Sequence, residues 1–266
     1  MKLWIAPRAG IWCRSTSGWD AFSAAVAAGS EPDTRLPEPV PDLLPAREGR
    51  RAPLHVRLAL EAAAQACREN GVPLNSVLTV FTSAMGDIQI TDYMCRTLAT
   101  ENPMLSPTKF HNSVHNAASG YWAIGAENRL ASTAIAAGEN SFGAGLLEAA
   151  MLAGDTAMPV LLVAYDVPAP GPLMAVSRNR QPFACGILLS GAAGNSGWRE
   201  LSLQAEHDVA STPAADMPWL KQLAAENSSA TAADLLRALA QPGACSGLLQ
   251  LGSSHRRFTL SPSVRA

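Results

Sequence analysis

Short apolar runs alternate along this chain with longer segments of helical period, and that alternation predicts an α/β layered domain. Leu3–Cys13 reads as a strand bent at Pro7–Gly10, followed by a helix over Asp20–Ala28 that Gly29 stops. Residues 31–47 carry prolines and acids and form a surface excursion. Leu54, Leu58, Leu60 and Ala64 give a partial apolar face to a helix over Pro53–Glu69, which Asn70-Gly71 ends as a C-cap. Val77–Thr82, Met158–Asp166 and Cys185–Ser190 are nearly continuous apolar runs, the pattern of strands covered on both faces. Ile90–Thr100 reads as a helix, Asn102–Pro107 as a loop, and Pro168–Pro172 as a second, proline-rich loop. Trp198–Ala205 alternates. Pro218–Glu226 and Thr231–Leu239 have helical character, and Thr231 with Asp234 has the spacing of a capping box. Gly247–Gly252 and Arg257–Leu260 are the final strands. Helices and strands that alternate and then close on a strand pair predict a mixed sheet.

Composition narrows the class. With 266 residues, 48% of them hydrophobic and 16% charged, the chain makes one large or two small globular domains with an ample core. A net charge of −2 and no basic run along the sequence argue against nucleic acid as a partner. So little charged surface suggests apolar area hidden in an oligomer. Cys13, Cys67, Cys95, Cys185 and Cys245 are odd in number with no CxxC, which reads as buried reduced thiols. No signal peptide and no membrane-length apolar run is visible, so the cytoplasm is the expected location. No cofactor is expected. Gly191–Gly197 lacks the lysine and the Ser/Thr of a phosphate loop, and no GxSxG elbow occurs.

The most informative segment is Ala131–Ala153, ASTAIAAGENSFGAGLLEAAMLA. A β-prone stretch, Ala134–Ala137, runs into Gly138-Glu139-Asn140, and a small-residue helix over Ser141–Ala153 follows at once. Strand, sharp turn and buried helix is the layout of a nucleophile elbow, which presents one side chain at its tip and aims a helix N-terminus at it. Here the tip is Glu139. A carboxylate has no thiolate nucleophilicity and is not expected to form an acyl-thioester intermediate.

Several segments, in order, resemble the ketosynthases of fatty-acid and polyketide synthesis. They are WDAFSAAVAAG (19–29), RRAPLHVRLALEAAAQACRENG (50–71), NSVLTVFTSAMGD (75–87), FHNSVHNAASGYWAIGAENRLASTAIAAGEN (110–140), GDTAMPVLLVAYDVP (154–168) and FACGILLSG (183–191). The resemblance spans Leu3–Ser190 and implies the amino-terminal half of a thiolase-like fold over residues 1–196, with a divergent α/β extension over 197–266 packed on the same domain. In ketosynthases the elbow tip is a cysteine, and the second half supplies two histidines in HGT-like and NHG-like motifs and a lysine. Neither motif occurs here, and Lys221, His207 and His255 lie in unrelated contexts. A missing nucleophile with missing histidines resembles the chain-length factors of type II polyketide synthases, and the short chain resembles the small ketosynthase-like proteins of aryl-polyene clusters. The better-known chain-length factors carry glutamine at the elbow, where this chain has Glu139.

The resemblance implies a complete ketosynthase subunit as heterodimer partner, acyl carrier protein met only indirectly, and pairing across the dimer through Ser132–Ala136. Phe110, His111 and Tyr121 are expected to help set the partner's acyl tunnel, with His115, Asn116 and Asn140 also at the tunnel or interface. Glu139 is expected as a polar stopper in the remnant pocket or as an acid held by a helix N-terminus. The alternatives are a malonyl-thioester decarboxylase that uses Glu139 as base, and an acyl-thioester-binding protein without turnover. His111 and His115 are four residues apart, which would suit a metal pair on a helix, but no third ligand is evident and no metal is expected.

Overall fold

The structure is a computed structural model that describes residues 1–193, 197–206, 217–251 and 254–263. The chain runs β1 (Lys2–Ile5), β2 (Gly10–Cys13), β3 (Thr16–Ser17), α1 (Trp19–Ala28), α2 (Ala46–Gly49), α3 (Leu54–Glu69), β4 (Leu78–Thr82), α4 (Ile88–Leu98), α5 (Pro107–His111), α6 (Ala117–Gly125), β5 (Ser132–Ile135), α7 (Ser141–Asp155), β6 (Val160–Asp166), β7 (Phe183–Ser190), β8 (Arg199–Glu206), α8 (Pro218–Glu226), α9 (Ala233–Leu239), β9 (Cys245–Leu251) and β10 (Ser254–Leu260). One mixed sheet has the order β5-β4-β6-β7-β1-β8-β10-β9, with β2 also paired to β7 and carrying β3. β5, β4 and β6 are parallel, and the remaining pairings are antiparallel. The carboxy-terminal strands β8, β10 and β9 therefore lengthen the same sheet.

The apolar runs are continuous because both faces of the sheet are covered. In β6, Val160, Leu162 and Ala164 point into a core with α1, α7, α8 and α9, while Leu161, Val163 and Tyr165 point into a second core with α3 and α6. The period of two thus distributes one run between two cores. The small residues of α3 have a packing reason: a Cβ on Gly10 would lie 1.8 Å from the Ala62 carbonyl oxygen, and one on Gly186 2.5 Å from it. The helix backbone rests directly on β2 and β7, so only glycine fits there.

Some expected boundaries shift. The bend in Leu3–Cys13 splits it into two strands that both pair with β7. The 31–47 excursion ends in the short α2. The β-prone stretch Ala134–Ala137 is strand only as far as Ile135: β5 covers Ser132–Ile135, one residue short of the expected pairing strand Ser132–Ala136, in register with β4 (Val80↔Thr133). Thr231 does not cap α9: its hydroxyl donates to the Ser228 carbonyl at 2.9 Å inside a 3-10 turn, Ser229–Ala232, and the helix starts two residues later. Cys13, Cys67 and Cys185 are buried, but Cys95 is exposed and Cys245 half-buried, so burial does not hold for every thiol. Desolvation pushes the Cys67 and Cys185 thiols up to about 12, which keeps them unreactive. Residues 194–196 of the Gly191–Gly197 loop, Gly252 and His207 lie outside the described residues, and His255 is described by its backbone in β10.

Candidate functional site

The elbow forms as strand, turn and helix. β5 is an edge strand, followed by a 3-10 turn over Gly138–Asn140 and then α7. Gly138 sits at φ 57°, in the left-handed region that a side chain would strain. Ser141 locks the turn. Its hydroxyl donates to the Gly138 carbonyl at 2.7 Å and accepts from the Ala137 N–H at 2.9 Å, while its own carbonyl accepts from the Thr82 hydroxyl at 2.7 Å. Gly145 brings α7 close to β4: a Cβ there would meet Thr82 Cγ2 at 2.8 Å.

Glu139 stands at the tip with its side chain 66% exposed. Its Oε2 lies 3.4 Å from Nη1 of Arg178, whose Nη2 donates to the Ala224 carbonyl at 2.5 Å and whose Nε donates to the Ala225 carbonyl at 3.3 Å. One guanidinium therefore satisfies carbonyls at the C-terminal end of α8, the favourable end of that helix dipole for a cation, and reaches the elbow carboxylate. Arg178 was not singled out in the sequence, since it lies in an irregular loop 39 residues from Glu139. The carboxylate's charge is met by this cation, and no cap bond joins the Asn140 side chain to α7. Asn140 instead lines a shallow groove of about 510 Å³ with Ile135, Ala137, Ala144, Leu147 and Met151.

The other expected residues divide. His111 ends α5 and is exposed, and the chain leaves the helix before His115, so the pair does not share a helical face. His115 instead donates from Nε2 to the Ile135 carbonyl at 3.0 Å, joining the α5–α6 turn to β5. Phe110 is 62% exposed on α5. Asn116 is the N-cap residue of α6 and makes no side-chain cap bond. Tyr121 is buried, and its hydroxyl donates to Asn112 Oδ1 at 3.2 Å, while Asn112 Nδ2 donates to the Arg51 carbonyl at 3.3 Å. Burial raises the Tyr121 pKa, and the bond to Asn112 opposes the rise. His111, Asn116 and Tyr121 share the lining of a groove of about 570 Å³; Phe110, His115 and Glu139 are not part of it.

Two buried polar groups escaped sequence reading. His55 Nδ1 lies 3.1 Å from Asp87 Oδ2, both side chains being almost fully buried, although the contact is off the line of a hydrogen bond. Asp87 Oδ1 accepts from the Ile90 N–H at 2.9 Å and so caps α4. Asp166, fully buried at the end of β6, accepts from the Ser83 hydroxyl (2.9 Å), the Ala84 N–H (3.0 Å) and the Ser229 hydroxyl (2.6 Å). Burial pushes its pKa up and these donors pull it down, with burial the larger effect. The only sequence-level signal for either was an acidic residue closing an apolar run.

Among the described residues, no helix is long and apolar enough to cross a membrane. Residues 19–244 match the family model described as Beta-ketoacyl synthase, N-terminal domain. No curated protein matches the sequence. The structure is similar to that of a ketosynthase (ApeO) in complex with its chain length factor (ApeC) from Xenorhabdus doucetiae, with TM-score 0.73 and 22% identity over 97% of this chain and 99% of that chain. It is also similar to the ishigamide ketosynthase/chain length factor (TM-score 0.72, 14% identity, 99% of this chain and 100% of that chain). A beta-ketoacyl synthase from Burkholderia phymatum STM815 gives TM-score 0.69 at 12% identity, covering 100% of each chain. At these identities the likeness establishes the thiolase-like α/β fold with its mixed sheet.

Proposed function

Because the chain belongs to the beta-ketoacyl synthase family through its N-terminal domain, we propose that it is a chain-length factor, the non-catalytic partner of a complete ketosynthase in polyketide or aryl-polyene synthesis. The observation that carries this reading is Glu139. The elbow is intact, but its tip is a solvent-exposed carboxylate committed to Arg178. It cannot become the acyl-thioester that condensation requires. The partner's cysteine and histidines would carry out decarboxylative condensation, and acyl carrier protein would deliver chains to the complex.

The partner-facing surface in this proposal centres on β5. Among the described residues the strand pairs only with β4, and Met151, which shares a groove with it, is 60% exposed. An exposed edge strand next to apolar side chains is suited to sheet extension by a second chain, where backbone hydrogen bonds supply firm pairing. Phe110 and His111 are exposed, like the rest of α5, and are proposed to meet the end of the partner's acyl tunnel. Tyr121 and Asn112 hold that segment from inside.

The test is co-expression with the complete ketosynthase encoded nearest to this chain, followed by purification and mass determination. A stable one-to-one heterodimer is expected, together with no condensation of malonyl and acyl carrier-protein substrates by this chain alone. Condensation by the isolated chain would refute the proposal, as would failure to associate. Glu139→Ala should leave the heterodimer intact. Malonyl-thioester decarboxylation that disappears in Glu139→Ala would instead establish the carboxylate as a base.

A further inference from the structure

Two grooves of different character adjoin beside α5. The first, of about 570 Å³, is walled by Val114, Ala117, Tyr121 and Ile124, and Gly120 is part of its lining. The second, of about 590 Å³, is lined by Arg50, Arg51, Arg57 and Lys109 among others. Arg51, Thr108 and Asn112 line both.

The charges of the second groove are unbalanced. Of its two acidic lining residues, Glu38 pairs with Arg57 at 2.6 Å, and the buried Asp87 is used in capping α4 through the Ile90 N–H at 2.9 Å. Arg50 and Arg51 are exposed, and neither forms a salt bridge with any described residue. The Lys109 ammonium lies 3.7 Å over the Tyr93 ring centroid, an interaction that leaves its positive charge uncompensated. In the apolar groove the acidic lining residue is Glu48. Space is also available in the apolar groove: a Cβ built on Gly120 meets nothing within 4 Å.

Cations at one end and an apolar trench at the other define the ligand chemistry. We infer that the composite groove binds a soluble single-chain amphiphile with a phosphate head, the head held by Arg50 and Arg51 and the chain laid along Tyr121 and Ile124. Guanidinium groups match phosphate oxygens in a two-pronged geometry, and each groove by itself has the size of a ligand site. A concave trench accepts one chain, whereas a lipid bilayer needs an apolar surface that projects. The apolar groove includes His111, which the proposed function turns toward the partner, so this inference concerns the chain with no ketosynthase bound.

The test is binding of dodecyl phosphate, kept below its micelle concentration, to the full chain by calorimetry. Dodecyltrimethylammonium, octyl phosphate, inorganic phosphate and phosphatidic-acid vesicles serve as comparisons. The expected result is saturable one-to-one binding of dodecyl phosphate and none of the cationic amphiphile. Affinity should fall by up to about fourfold per methylene removed from the chain. Arg50→Glu with Arg51→Glu should weaken binding by about tenfold or more, because two charge-assisted contacts become repulsive. Gly120→Leu, at an exposed helical position with open space, should fill the trench and remove the chain-length dependence while leaving the melting temperature at or above that of the wild type. Equal binding of both head-group charges would overturn the inference. So would binding unchanged in the double arginine variant, chain-length dependence retained in Gly120→Leu, binding of inorganic phosphate alone, or binding confined to vesicles.

Discussion

Arg199 should hold the carboxy-terminal segment onto the sheet, and replacing it should cost more than any other single polar side chain. The residue opens β8, is 1% exposed and donates from all three of its side-chain nitrogens to backbone carbonyls. Nε donates to Ser261 at 2.7 Å, Nη2 to Gly243 at 2.7 Å, and Nη1 to Gln241 at 2.8 Å, with longer contacts of 3.2 Å to Ala238 and Leu239. The last two belong to the final turn of α9, whose carbonyls have no partners within the helix. Burial lowers the pKa of this guanidinium, which stays charged in every ordinary buffer. Hydrogen bonds to a charged donor contribute about 1.5–3 kcal/mol each, but three on one group are not additive, and part of the gain offsets desolvation. Each buried carbonyl left without a donor costs about 1–3 kcal/mol, and Arg199 serves several of them. Arg199→Met, which keeps the volume and strands the carbonyls, should therefore lose about 4 kcal/mol and lower the melting temperature by about 8–16 °C. Trp198 and Trp219 are both nearly buried and report the melt by fluorescence. Arg199→Lys, with its charge but without the fork, should fall between the two. A loss below about 1 kcal/mol for Arg199→Met would refute the idea that these carbonyls depend on the guanidinium.

Three further outcomes are expected. Asp166 has a folded-state pKa raised by burial, so its contribution to stability is complete below the unfolded value of about 3.9 and is lost as pH rises through the higher folded value. Urea midpoints measured across that window should show this decline, and Asp166→Asn should flatten the slope whatever it does to absolute stability. Along β5 and the residue before it, the carbonyls of Ala131 and Ile135 accept from the N–H groups of Thr79 in β4 and of Ser83 just after it, so by alternation Ala134 turns its N–H outward. Ala134→Pro should leave the isolated fold's melting temperature within a few degrees and abolish capture of a ketosynthase; undiminished capture would remove β5 from the proposed interface. Gly186→Ala should destabilise by about 1–3 kcal/mol or more, measured by urea denaturation, because its Cβ would press on the Ala62 carbonyl of α3.

What could be read from the sequence was whatever is written in consecutive residues. The periods of the helices and buried strands, the αL glycine after Ala28 and the strand–turn–helix of the elbow are local, and each appears close to its expected position because backbone sterics and one-sided burial act over a few residues. The resemblance to ketosynthases came from the order of those local elements. The end of β5 at Ile135, short of the alanines that follow, is set by its pairing with β4.

Pairings between distant residues were decided only by the tertiary structure. Arg178 reaches Glu139 across 39 residues, Arg199 reaches Ser261 across 62, and Asp166 gathers donors from Ser83 and Ser229 on opposite sides of it in the chain. A sequence without a basic run still builds a basic groove, because α5 brings Lys109 beside Arg50 and Arg51 while the neighbouring acids are spent on other partners. Periodicity reports which face of an element is apolar; it carries no information on which charged side chains meet once those faces are packed. That outcome depends on the sheet order and on the close approach of α3 at Gly10 and Gly186, where the absence of two side chains lets the layers meet.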